Sequence, residues 1–136
     1  MKHNTIEMYV RPDTSREKRQ VILDNWYRYE LKRIVSALIT KHELLMKVKV
    51  NKFGVRKMKT KWGVCNRKTG IIWLNLELAK KFREHIEYII VHEMTHLIER
   101  RHNELFIAYM DKFLQKWRFL KEELNRGALR MEKWEY

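Results

Sequence analysis

Proline occurs once in this chain and glycine four times. Turn-rich all-β folds and long linkers use both residues freely, so their scarcity points to helices as the dominant element. Cysteine also occurs once, as Cys65, which excludes an internal disulfide framework and fits a reducing compartment. No apolar run approaches the length of a membrane span, and the opening MKHNTIEMYV lacks the apolar stretch of a signal peptide. The expected location is therefore cytoplasmic, with no membrane partner. Acidic residues are in deficit: 17 Asp and Glu against 30 Lys and Arg leave a formal net charge of +13. Such an excess serves solubility, or attracts something acidic such as a nucleotide, a nucleic acid or an acidic protein.

Against these absences stand 136 residues, 45% hydrophobic and 35% charged, a globular composition sized for one domain over residues 1–136. Residues 5–10 (TIEMYV) alternate like a short strand, ending at Arg11-Pro12. Asp13, Thr14 and Ser15 supply helix-capping chemistry. Val21, Ile22, Trp26, Tyr29, Leu31, Ile34, Val35, Leu38 and Ile39 then recur at helical spacing, predicting one long helix over about 15–45 with its aromatics in the core. Between residues 47 and 68 the period changes. KVKVN and RKMKTKW alternate charged with apolar or β-favouring residues, as half-exposed strands do, with residues 51–54 as their connection. This stretch holds nine basic residues (Lys47, Lys49, Lys52, Arg56, Lys57, Lys59, Lys61, Arg67, Lys68) and no acidic one. On the expected second strand Lys57, Lys59 and Lys61 share a face. IIWLN (71–75) reads as a third strand, and the three would form a small antiparallel sheet. A short helix over 76–82 and C-terminal helices meeting near Gln115 complete the reading, with Asn103 as the cap of the first of them.

The chemistry is concentrated in HEMTH, residues 92–96. On a helix His92 and His96, four residues apart, place two imidazoles on one face a turn apart. Glu93 falls one step round, within reach of a metal-bound water without being a ligand. Catalytic zinc takes three protein ligands and keeps a position for water. His102, Glu104 and Glu99 are the candidates for the third. On an unbroken helix His102 would lie roughly 15 Å along the axis from His92 and off the ligand face, so it requires the helix to end near residues 99–101 and the chain to double back. No glycine marks such a break; Asn103 as a new cap supports it. The spacing from His92 to His102 equals that of the metzincins, but Glu99 stands where those have glycine, and no methionine turn is recognisable at Met110 or Met131.

A wider pattern fits better. NWYRYELKRIV (25–35), MKTKWGVCNRKTGIIWLN (58–75), YIIVHEMTHLIERRHN (88–103) and a following F-x3-M helix resemble the YgjP-like metallopeptidases, relatives of the SprT-like proteins among the compact zincins. The resemblance runs from about Glu7 to Asn125. It departs at Val64, where the family usually has serine, and near Phe82, where it often has proline. It implies an α+β, zincin-like fold: a long N-terminal helix packed on a small sheet, then the HExxH helix and C-terminal helices. It also implies one Zn2+ per chain on His92, His96 and His102, with Glu93 as catalytic base. The segment from Lys61 to Cys65 would form the rim of the cleft, with Lys61 and Trp62 as candidate substrate contacts. Family members commonly carry a β-rich N-terminal portion, of which residues 1–12 would be the last strand. The expected function is thus a zinc-dependent hydrolase acting on a peptide or protein. The alternatives are a nucleoside triphosphate pyrophosphatase, or a nucleic-acid-binding module that uses the 47–68 basic patch around a non-catalytic metal site.

Overall fold

The computed structural model describes residue 11 and residues 15–126. The expected strand at 5–10 lies outside them. Helix α1 runs from Arg16 to Met46. It starts where the Ser15 hydroxyl accepts the Lys18 amide at 3.2 Å, with Glu17 in the first turn, both favourable at the positive end of a helix. It stops at Lys47, a left-handed residue (φ 56°) whose amide donates to the Glu43 carbonyl. Leu31, Ile34, Val35, Leu38, Ile39, His42 and Met46 form its buried stripe. The expected stripe extended further: Val21 and Ile22 are exposed because a helix of 31 residues, about 46 Å long, outruns a body built on strands of four and five residues, and Tyr29 because it faces away from buried Leu31, two residues on. Trp26 and Tyr27 are half-buried and meet edge to face, and the Lys80 ammonium lies over the Tyr27 ring.

The sheet has three short strands, β1 (Lys52–Arg56), β2 (Gly63–Asn66) and β3 (Ile71–Asn75), in the order β1-β3-β2. β2 and β3 pair antiparallel through a tight hairpin, but β1 and β3 are parallel, so the sheet is mixed and not antiparallel throughout. The expected strand boundaries also move. Residues 47–51 are not a strand, β1 occupies the expected connection, and residues 57–62 form a crossover loop in spite of their alternation. The reason is Asn75, fully buried at the end of β3. Its side-chain amide donates to the carbonyls of Met58 (3.0 Å) and Lys61 (2.8 Å), and its backbone amide donates to that of Trp62 (2.9 Å). The loop's polar backbone is satisfied there instead of in a ladder, which lets β2 enter on the far side of β3.

After β3, Asn75 Oδ1 caps a 3₁₀ turn at Leu76–Lys80. Helix α2 (Arg83–Thr95) follows, then α3 (Glu104–Phe113) and α4 (Trp117–Arg126). From Tyr88 to Thr95 every residue of α2 is buried, as expected of a helix enclosed by α1, β2, α3 and α4. Two polar clamps orient it. Glu87 accepts from His42 and from Lys41, both at 2.8 Å, tying α2 to α1; His85 meets Glu123 at 3.1 Å, tying it to α4. No helix among the described residues is long and apolar enough to cross a membrane.

The hydrogen bond from His42, followed by the Lys41 ammonium, outweighs burial and holds the Glu87 carboxyl at about 2. A carboxyl depressed on folding stabilises above its unfolded value near 4.5, and that stability fades as pH falls towards 2. Urea unfolding across pH 2–6 should therefore show Glu87→Gln less stable than the parent at pH 6 by at most about 3 kcal/mol, with the two converging near pH 2. Parallel pH profiles would remove Glu87 from the account.

Candidate metal centre

Helix α2 ends at Thr95, four residues earlier than the start of the break His102 was expected to require. The Thr95 hydroxyl bonds back to the Val91 carbonyl at 2.7 Å. The amides of Leu97 and Ile98 then take partners three residues back, Met94 and Thr95, tightening the last turn. Lys47 and Gly70 are the only described residues with positive φ, so this reversal needs no glycine. Glu99 holds the returning loop: its Oε1 accepts the Arg101 amide (3.2 Å) and the Asn103 side-chain amide (3.3 Å). Asn103 Oδ1 in turn accepts the Phe106 amide at 3.0 Å, starting α3 as expected.

The result is that His92, His96 and His102 converge. Each offers one nitrogen, and the three lie within 4.8 Å of one another; among the described residues no other group of His, Cys, Asp or Glu does this. His102 Nε2 stands 2.8 Å from His96 Nε2. The other ring nitrogen of His96, Nδ1, donates to the Glu99 carbonyl (3.3 Å), which fixes the tautomer that turns a lone pair on Nε2 towards His102. Beneath the cluster lies Phe106, fully buried, with its ring centroid 5.2, 4.7 and 4.9 Å from those of His92, His96 and His102. Glu99 and Glu104 do not join the group. Burial keeps the His92 and His96 rings uncharged: it drives His92 well below the usual range, and it lowers His96 to about 4. Neutral imidazoles are what a metal ion requires.

Glu93 is buried next to them, its Oε2 accepting from His92 Nδ1 at 3.0 Å. Burial raises its carboxyl to about 7, against the pull of His96, His102 and Lys61. The side chain lies against Gly63 at the start of β2: a Cβ on that glycine would come within 3.1 Å of Glu93 Cγ and of Ile89 Cγ2. This contact and the Phe106 floor are the features that sequence reasoning missed. A glycine inside a strand marks a close approach, and that was the available signal for Gly63. Of the expected rim residues, Lys61 is exposed and acts on Glu93 through its charge, whereas Trp62 is 2% exposed and belongs to the core. Its ring packs instead of presenting a face to solvent. The strand on which Lys57, Lys59 and Lys61 were to share a face is absent. Lys57 instead pairs with Asp24 at 2.7 Å. Burial, with Glu93 nearby, pushes the Cys65 thiol up to about 12, the value of an inert group.

The family model described as YgjP-like, metallopeptidase domain, matches residues 1–127. The chain belongs to the YgjP-like family. Its fold is similar to that in the crystal structure of the metallopeptidase zymogen of Pyrococcus abyssi abylysin, with a TM-score of 0.65 and 19% identity over 71% of this chain and 97% of that one. It is also similar to the metallopeptidase zymogen of Methanocaldococcus jannaschii jannalysin, with a TM-score of 0.57 and 21% identity over 73% of this chain and 97% of that one. No curated protein sequence matches it significantly.

The YgjP-like site fits a metal ion on its own chemistry. Three nitrogen donors within 4.8 Å, two of them on rings that burial keeps uncharged, would suit the bond lengths of about 2.0–2.1 Å that zinc makes to histidine and would leave a fourth position for water. His102→Ala should lower zinc affinity beyond the roughly 10- to 100-fold that loss of an outer partner costs, while Glu99→Gln, which keeps Oε1 as an acceptor, should leave it near the parent value. Competition with a chromogenic chelator measures both. Equal affinity in His102→Ala and the parent would exclude His102 as a ligand.

Proposed function

We propose that this YgjP-like chain is a zinc metallopeptidase in which His92, His96 and His102 hold one Zn2+ and Glu93 is the proton-transfer residue. The observation that carries the reading is a buried carboxyl, poised near neutrality, beside three converging imidazoles and against the first residue of a strand edge. A zinc ion bound there would acidify a coordinated water to about 7 and polarise a carbonyl.

The chain's own residues supply the rest. Glu93, with a carboxyl at about 7, can take a proton at neutral pH and return it to a leaving amine. His92 Nδ1 donates to its Oε2 and so fixes where that carboxylate points. Glu99 and Phe106 orient His96 and His102, the first through a hydrogen bond to the ring and the loop, the second by packing. Among the described residues β2 pairs only with β3, so its other edge offers main-chain groups to an extended peptide beginning at the level of Glu93. Cys65 supplies no nucleophile at neutral pH.

Glu93→Gln preserves shape and removes the proton acceptor. Cleavage of an unfolded protein such as casein by the zinc-loaded enzyme should fall by about 100- to 10,000-fold, with zinc content unchanged. Undiminished proteolysis in the variant would contradict the mechanism. Turnover of a nucleoside triphosphate in place of casein, abolished by the same substitution, would assign the site to phosphoanhydride hydrolysis instead.

A further inference from the structure

The hairpin between β2 and β3 is held by a set of hydrogen bonds. Asn66 Oδ1 accepts the amides of Lys68 (3.0 Å) and Thr69 (3.2 Å), Gly70 closes the turn at φ 71°, and its amide donates to the Asn66 carbonyl at 2.8 Å. Asn51 clamps the turn to the segment leaving α1, through its amide to the Gly70 carbonyl (2.9 Å) and its side chain to the Thr69 carbonyl (3.0 Å). Between these segments lies a cavity of about 570 Å³, whose lining includes Lys49, Arg67 and Lys68 together with Val48, Thr69 and Leu97. No acidic side chain lines it, and none of the ion pairs among the described residues engages its three cations.

Its position ties it to the metal centre. Leu97 directly follows His96, and Arg67 directly follows Asn66, the last residue of β2, whose first residue touches Glu93. Arg67 and Glu93 both act on the Cys65 thiol through their charge, so the cavity and the carboxyl flank the same strand. Four strand residues span about 13 Å. A peptide lying along the β2 edge, with its scissile bond at Glu93, therefore carries a side chain three or four residues away to the cavity mouth. The cations suit a carboxylate, and Val48 and Leu97 suit the methylenes that bear it. The amides of Lys68 and Thr69 are already occupied by Asn66, so the cavity lacks the cluster of open backbone donors typical of phosphate sites.

We propose that this cavity is a specificity subsite for an acidic side chain, Glu or Asp, of a peptide substrate, three or four residues from the bond that is cut. This rests on the peptidase reading above. The test uses blocked ten-residue peptides identical except for Glu, Gln or Lys at one position, moved along the series. Binding is measured by calorimetry to zinc-loaded Glu93→Gln protein, and the cut is located by mass spectrometry with the parent enzyme. A Glu three or four residues from the cut should bind about 3- to 10-fold more tightly than Gln. The exposed pair Arg67→Gln/Lys68→Gln should erase the difference, and Arg67→Glu/Lys68→Glu should make Lys the preferred residue. Equal binding of Glu and Gln peptides at every position, or a preference that the double variant leaves intact, would overturn the proposal. So would inorganic phosphate binding more tightly than any acidic peptide through the same two side chains. If the parent cuts no peptide while the Glu preference and its dependence on Arg67 and Lys68 persist, the peptidase reading fails and the acidic-peptide site stands.

Discussion

The proposed metal centre depends on a reversal of the chain between Thr95 and His102. His92 in the last turn of α2 and His96, the αR residue that caps it, converge as a matter of helix geometry, but a third nitrogen cannot come from that helix six residues later. It arrives because the helix tightens and stops at Thr95, the loop is held by Glu99, and Asn103 starts a new helix in a new direction. The same new helix brings Phe106 under all three rings. One reversal thus supplies both the third donor and the floor that orients the set.

The second constraint is burial. Enclosing α2 on four sides strips water from His92, His96 and Glu93 together, and desolvation disfavours the charged form of each. It has opposite consequences for the two kinds of group: the imidazoles stay neutral and free to coordinate, and the carboxyl stays close to the pH at which it can exchange a proton. Gly63 makes that enclosure tight, since its missing side chain is the space into which Glu93 fits.

Local features of the chain were legible in its sequence, and long-range ones were not. The Ser15 and Asn103 caps, the length of α1, the HEMTH helix and the two-helix C-terminus follow from residues a few positions apart. The mixed sheet does not, because the loop over 57–62 is organised by Asn75, more than ten residues downstream, and its alternating charges imitate a strand. The end of α2 was misplaced for a related reason. A turn built from three-residue-back hydrogen bonds uses ordinary residues and leaves no glycine to read. At the candidate site, His92, Glu93 and His96 were picked out by helical spacing, and His102 stayed conditional on that turn. The basic stretch looked like one continuous face, yet in the fold it divides: Lys57 pairs with Asp24, the Arg56 guanidinium stacks 4.6 Å from the Trp73 ring centroid, and Lys49, Arg67 and Lys68 gather around one cavity.

The central claim is that three imidazoles and no other protein group make the metal site. X-ray absorption spectroscopy at the zinc edge, on protein loaded with one equivalent, tests it most directly. The account predicts three imidazole nitrogens and one further light atom at about 2.0–2.1 Å. A shell with only two imidazoles, or a sulfur scatterer at about 2.3 Å from Cys65, would contradict it.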